Sequence, residues 1–430
     1  MPALMLISPL IRQSSILIRN SRVVSHARKM TTSIESEQAV PSAAKVEEKV
    51  VSNTDVQNGD AIKSLKRSAQ PDQLPSFPVS GIFGIVKPSG PTSMQILDKL
   101  KPMLGKSKVF QVLDNKQQQK SRRNRSGGST IPKLGQGGTL DPLADGVLIV
   151  GIGAGTKKLQ QFLDCSKEYR TVGLLGCSTL SYDSQDPILE HMPFDHVQQE
   201  DVKKVLRDFE GDIMQLPPLY SAVKIDGKRL LDYARAGEDL PRPIEARKIT
   251  VHKAFLAKWQ EPDQHEYNAP NKECSAEERK VAKRARRLAG LDAKLADTEK
   301  EEESDAAVPM KQRAPTFTLD LTVSSGTYIR TIVHEVGQKL NSAAHVVKLT
   351  RTRQGQWVVP GYERSTNDAA YLREAIEWEV LEKAISEYHE GESTKKRKTE
   401  NGQIQSINNE QDGQELQEWE KLILERMEIC

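Results

Sequence analysis

The stretch GGTLDPLADGVLIVGIGAGTKKL, residues 137–159, sets a glycine pair, a carboxylate and an apolar run side by side. Gly137 and Gly138 permit positive backbone angles and close approach of another backbone segment. Asp141 precedes Pro142, which disfavours helical geometry at Asp141 and holds it extended at a turn. A carboxylate on a stiff, glycine-preceded turn is well placed for chemistry. Asp followed by Pro is equally the signature of a helix start, with Asp as N-cap and Pro at the first helical position. Val147–Gly151 then reads as a buried strand and Thr156–Leu163 as a short helix. Gly151, Gly153 and Gly155 approach a dinucleotide fingerprint, but the third glycine of GxGxxG falls on Thr156, and no Walker spacing occurs.

Working outward, Gly81–Val86 reads as a first strand stopped by the Lys87-Pro88-Ser89-Gly90-Pro91 turn, after which Ser93 is expected to cap a helix carrying Ile96, Leu97 and Leu100 on one face. Tyr169–Leu175 predicts a strand and Val202–Phe209 an amphipathic helix, while Ile249–Trp259 and Phe317–Val323 alternate with the period of half-buried strands. Two low-complexity segments interrupt this pattern and read as insertions. One, at about residues 115–131, is basic and includes SRRNR at Ser121–Arg125; the other, at about residues 260–314, is rich in Glu, Lys, Arg and Ala without a continuous apolar face, and reads as a solvent-exposed helical insertion.

The domain reading follows. Residues 1–33 carry Arg12, Arg19, Arg22, Arg28 and Lys29 with no acid before Glu35, the composition of a mitochondrial presequence or of a plain basic tail. Initiation at Met30 would leave a cytosolic or nuclear form, for which Lys395–Lys398 offers a nuclear signal or merely solvated charge. Residues 34–79 read as a disordered linker, 80–366 as the catalytic body, 367–390 as a C-terminal helix and 391–430 as a polar, mobile tail. The expected locations are mitochondrion and nucleus or cytoplasm.

Composition narrows the function classes. In 430 residues only 37% are hydrophobic and 28% are charged, so part of the chain is expected to stay outside any core. A net charge of +3 is uninformative, but the clustering of cations between Lys99 and Lys133 suits a phosphate backbone as well as it suits a solvated loop. Cys165, Cys177, Cys274 and Cys430 form no CxxC pair and have no His at zinc spacing, which argues against a structural metal or disulfide framework. No stretch approaches the roughly 18 uninterrupted apolar residues of a membrane span.

The quoted stretch resembles the catalytic motif of the TruB family of pseudouridine synthases, which modify uridine-55 in the T arm of tRNA. Further blocks agree in the same order. Gly84-Ile-Val-Lys87-Pro88-Ser-Gly90-Pro-Thr92-Ser93 resembles the first motif, and Lys167-Glu-Tyr169 with Leu175-Gly176 the K-x-Y strand. Gln215-Leu-Pro217-Pro218-Leu-Tyr220-Ser221-Ala222-Val-Lys224 resembles the PP-x-YSA-x-K segment, Ser325–Arg330 the GTYIR motif, and Leu349-x-Arg351-Thr352 the closing L-x-R-T.

The resemblance implies the pseudouridine synthase fold: an α+β body around a long mixed, mainly antiparallel sheet flanked by helices, with a central active-site cleft. It implies Asp141 as the catalytic carboxylate and Arg330 as the cation that keeps it ionised. Tyr169 is expected to stack on the flipped uracil, with Tyr328 and Leu349 completing the pocket wall, although each also reads as a strand-face core residue. Lys87 and Pro88 are expected to hold the turn beneath the catalytic loop, with Gly138 in the supporting motif. Gln136 stands where bacterial members usually have a His that assists base flipping; GQGG is similar to the fungal members. The family's reaction breaks the C1'–N1 bond and joins C1' to C5 without net redox change, so no cofactor and no metal are expected. The implied partner is the T arm of tRNA, or another RNA with a T-loop-like hairpin, bound by a monomer without a membrane. No recognisable PUA-type domain follows Arg353. A guide-RNA-dependent synthase acting on ribosomal RNA and a non-catalytic tRNA-binding chaperone are the alternatives; a nicotinamide dehydrogenase fails on glycine spacing.

Overall fold

In the computed structural model, residues 77–111, 131–288, 313–363, 371–400 and 415–430 are described. The presequence and linker readings up to residue 76, and the basic segment with Arg122, Arg123 and Arg125, lie outside the described residues. So does most of the distal half of the second insertion.

The body begins with β1 (Gly81–Lys87), α1 (Ser93–Lys106), β2 (Leu134–Gln136), β3 (Asp145–Ile152), α2 (Gln160–Asp164) and β4 (Lys167–Leu175). It continues through β5 (Cys177–Thr179), β6 (Ile188–His191), α3 (Gln199–Arg207), β7 (Gly211–Gln215), β8 (Lys224–Ile225), β9 (Lys228–Arg229), α4 (Leu230–Ala236) and β10 (Arg247–Gln260). After α5 (Ala276–Leu288) come β11 (Thr316–Val323), α6 (Ile329–Lys339), β12 (Ala344–Gln354), β13 (Trp357–Val358), β14 (Arg373–Glu374), α7 (Trp378–Glu400), α8 (Glu418–Arg426) and β15 (Glu428–Ile429).

An 11-stranded sheet organises these elements, with the path β15-β1-β3-β12-β4-β11-β10-β7. Neighbours on the path are antiparallel except β3 and β12, which touch in parallel at Thr350↔Asp145 and Arg351↔Gly146. Gly146 makes that crossing possible, because a Cβ there would lie 2.3 Å from the Arg351 carbonyl oxygen. β1 and β3 are apolar at successive positions because both faces are covered. Phe83, Ile85, Leu148 and Val150 join the main core with α1 and α6, while Ile82, Val147 and Ile149 pack with Phe162 and Trp357 on the other side.

The expected strands at residues 147–151, 169–175, 249–259 and 317–323 lie within β3, β4, β10 and β11. Three expectations are corrected. The cap of α1 is Thr92, not Ser93: Thr92 Oγ1 accepts from the Gln95 amide at 3.2 Å and the Gln95 side chain accepts from the Thr92 amide at 2.7 Å. The C-terminal helix starts at Trp378 rather than near residue 367 and runs to Glu400, where the side chains of residues 394–400, and with them Lys395–Lys398, lie outside the described ones. The polar tail also ends in structure. Trp419, Ile423 and Met427 of the α8 region are buried, and β15 pairs with the free edge of β1 at Gly81↔Ile429. The expected solvent-exposed helix in the second insertion is α5, which buries Ala282, Ala285 and Arg286.

Candidate functional site

The loop between β2 and β3 carries Asp141, and its shape is imposed from three sides. Gly138 has φ +130°, a conformation that disfavours any side chain. From β12, the fully buried Arg351 donates through Nη2 to the Gly138 carbonyl at 3.0 Å and through Nε to the Val147 carbonyl at 2.8 Å. Gln354 Nε2 donates to the Gly137 and Phe162 carbonyls. From α1, Ser93 Oγ both donates to the Leu140 carbonyl at 3.2 Å and accepts from the Leu140 amide at 3.0 Å. From the end of β1, Lys87 Nζ donates to the carbonyls of Pro88 and Pro91 at 2.8 Å and of Pro142 at 3.3 Å, while the Gly90 amide reaches the Pro142 carbonyl at 2.8 Å. Burial pulls the Lys87 ammonium down to about 8, against the opposing charges of Asp145 and Asp141. Asp141 caps no helix: it lies in an irregular loop with its side chain 39% exposed.

Its partner comes from the first turn of α6. Arg330 is buried and its Nε donates to Asp141 Oδ2 at 2.8 Å. Nη1 donates to the Ser181 carbonyl at 2.6 Å and Nη2 to the Tyr220 carbonyl at 3.0 Å, so the guanidinium is fixed by three separate chain segments. A second carboxylate, Asp183 Oδ2, lies 3.7 Å from Nη1 and is buried. Burial works against the Arg330 charge, but Asp141 and Asp183 outweigh it and hold the guanidinium above its usual range. Burial raises the Asp183 carboxyl, opposed by Arg330, by the Gln185 amide and by Ser181. A buried guanidinium flanked by one buried and one half-exposed carboxylate sets a fixed positive charge against the accessible one.

Among the other expected residues, Tyr169 lies buried on β4 in register with Arg351, and Leu349 lies buried on β12 in register with Thr171; both belong to the main core. Tyr328 forms the N-terminal boundary of α6, where Gln215 holds it by accepting from its amide at 2.8 Å and donating to its carbonyl at 3.1 Å. Burial raises the Tyr328 hydroxyl. Gln136 Nε2 donates to Thr139 Oγ1 at 3.1 Å, and its Oε1 is buried without a partner. The direct bond among the expected residues is therefore Asp141 to Arg330, with Lys87 and Pro88 meeting at the turn. Sequence reading assigned no role to Asp183, Ser181, Gln215 or Gln354, and gave Ser93 only the role of a helix cap. The signal that could have singled out Ser93 is the Thr92/Gln95 capping pair, which leaves the neighbouring hydroxyl unassigned.

Among the described residues no helix is long and apolar enough to cross a membrane. The model of the TruB family pseudouridylate synthase N-terminal domain matches residues 127–277. The chain is 36% identical over 327 residues to tRNA pseudouridine synthase 4 of Schizosaccharomyces pombe, covering 65% of this chain and 79% of that one. It is 35% identical over 347 residues to tRNA pseudouridine synthase 4 of Saccharomyces cerevisiae, covering 72% and 85%. Among solved structures, a Cbf5-Nop10-Gar1 complex aligns at 22% identity with a TM-score of 0.34, over 64% of this chain; the chain spans about half, 49%, of that protein's length. With more than three quarters of each yeast relative matched at such identity, and with the family motif forming the loop that Arg330 grips, the chain belongs to the TruB family of pseudouridylate synthases and has the pseudouridine synthase fold.

Proposed function

We infer that this protein isomerises uridine to pseudouridine in tRNA, that its target is uridine-55 of the T loop, and that it works without a guide RNA. The observation that carries the reading is the ion pair between buried Arg330 and half-exposed Asp141, 2.8 Å long, on a loop fixed from three sides. A uridine lying in the helical stack offers neither C1' nor C5 to a side chain, so the nucleotide must flip out, which costs a few kcal/mol that pocket contacts offset. Asp141, paired with Arg330, then meets the sugar and base while the C1'–N1 bond breaks and C1' joins C5; the proton lost from C5 passes to N1. Tyr169 serves as the stacking surface for the free uracil, and Tyr328 and Leu349 close the wall behind it. Gln136, next to the loop and with an unpaired buried oxygen, replaces a base-flipping His with a neutral amide.

Tritium released from tRNA labelled at uridine C5, with neither cofactor nor guide added, measures this directly. The parent should release tritium, and Asp141→Ala, if folded, should fall to background. Binding without release by the parent would favour the guided or chaperone readings. For location, residues 1–33 are proposed as a mitochondrial presequence; a reporter fused to them that stays outside mitochondria would refute it.

A further inference from the structure

The turn that holds Arg330 contains a residue in an uncommon conformation. Tyr182 has φ 65°, the left-handed region that a bulky side chain adopts only where its surroundings over-determine it. On either side of it stand the groups that face the guanidinium: the Ser181 carbonyl, at 2.6 Å from Arg330 Nη1, and Asp183, at 3.7 Å. Ser181 Oγ also donates to Asp183 Oδ1 at 3.0 Å. An error at Tyr182 is therefore passed to both contacts of Arg330.

Three elements converge on this one residue. β12 takes its backbone, with the Val346 amide donating to the Tyr182 carbonyl at 2.9 Å. α6 takes one ring face: His334, four residues after Arg330 and on the same side of the helix, stacks with its ring centroid 3.9 Å away and planes 7° apart. Burial and the neighbouring Arg286 charge push His334 down to about 3, so the imidazole meets the phenol ring uncharged. α5, from the insertion between β10 and β11, supplies Arg286, whose guanidinium carbon is 5.8 Å from the Tyr182 centroid. Arg286 is 8% exposed although Lys280, Lys283, Arg284 and Arg287 of the same helix face outward. A guanidinium sunk over a buried aromatic ring, on a helix where four other cations are exposed and Arg279 is half-buried, is set apart from the surface those cations form.

We propose that Arg286 is a positioning residue of the catalytic centre: seated over Tyr182, it fixes the Ser181–Asp183 turn and, through it, the Arg330–Asp141 pair. The insertion thereby becomes part of the catalytic support rather than an appendage. The kinetic consequence rests on the tRNA reading above; the structural consequence does not.

The test uses the full chain with Arg286→Ala, Arg286→Met, which keeps an apolar stem without charge, and Arg286→Lys, which keeps the cation. Thermal unfolding first establishes that each variant is folded. Hydrogen exchange at the Ser184 and Val346 amides, which bridge the turn to β12, is then read without RNA. Ala and Met variants should exchange roughly tenfold faster there, the scale of one buried cation–π contact, with the Lys variant close to the parent. On C5-tritiated tRNA at saturating enzyme, the single-turnover rate of the Ala and Met variants should drop by roughly tenfold while the tRNA dissociation constant stays within about twofold. Unchanged exchange in both Ala and Met variants overturns the proposal, and so does weakened binding with an unchanged saturating rate, which would make α5 an RNA contact. If the parent itself releases no tritium, the function proposed above fails while the exchange measurement still decides this one.

Discussion

At the scale of single residues, the centre depends on geometry as much as on charge. Arg330 directs three donors at Asp141, the Ser181 carbonyl and the Tyr220 carbonyl, which lie on separate segments at 2.6–3.0 Å. A lysine there would keep the positive charge but not the planar fork, and at least one of these acceptors would lose its donor. Arg330→Lys is expected to lower the single-turnover rate by roughly a hundredfold or more, the equivalent of about 2.7 kcal/mol in the barrier. A rate within a few-fold of the parent would mean that charge alone suffices and that the fork is dispensable. How far this centre could be read in advance differs residue by residue. That Asp141 would meet Arg330 was anticipated only through the resemblance of the motifs that carry them, and the two side chains are bonded at 2.8 Å. Asp183 was not anticipated: it stands in a polar run, Ser181–Asp186, that reads as an ordinary turn, and its burial arises only when α6 and β12 close over it. Ser93 was misread because two capping residue types are adjacent, and only the Gln95 side chain decides between them.

Elements were legible in proportion to how much of their stability is local or periodic. β11 alternates along its length, β10 alternates between the two breaks in its register, and β3 is an apolar run between glycine-rich turns, so their positions follow from the sequence pattern. β15 has two residues and no pattern at all; it is a strand because the edge of β1 supplies hydrogen-bonding partners. α8 was hidden for a related reason, since its apolar residues Trp419 and Ile423, with Met427 just after it, are interspersed with charges and form a face only against the core around Phe110. A chain ending at residue 414 would uncover that patch and reopen the sheet edge. Each of the three side chains contributes on the order of 1.5–3 kcal/mol by burial, so the truncated protein is expected to unfold at a clearly lower temperature and to associate more readily. Calorimetry with light scattering checks this, and an unaltered unfolding temperature would show that the terminal segment adds nothing to the fold.

The whole molecule carries a titration pattern that no segment of sequence announces, because it depends on what folding excludes from water. Burial lowers His334 to about 3 and His345 to about 4, and raises Glu335 to about 7. A depressed histidine contributes its stability above its unfolded value of 6.5, and that contribution is lost as the pH falls toward the folded value. A raised glutamate acts in the opposite sense: its contribution is present below its unfolded value of 4.5 and is lost as the pH rises through about 7. Between pH 4.5 and 6.5 the unfolded chain therefore holds two protons more on the histidines and one fewer on Glu335, a net of one, and stability should fall on acidification by about 1.4 kcal/mol per pH unit from these groups. Glu335→Gln removes the opposing group without touching either histidine. Its stability, measured by denaturant unfolding at several pH values across that window, is expected to fall about twice as steeply as the parent's. A variant with the parent's slope would place the Glu335 carboxyl in water, and the side of α6 that carries it would then be open rather than packed.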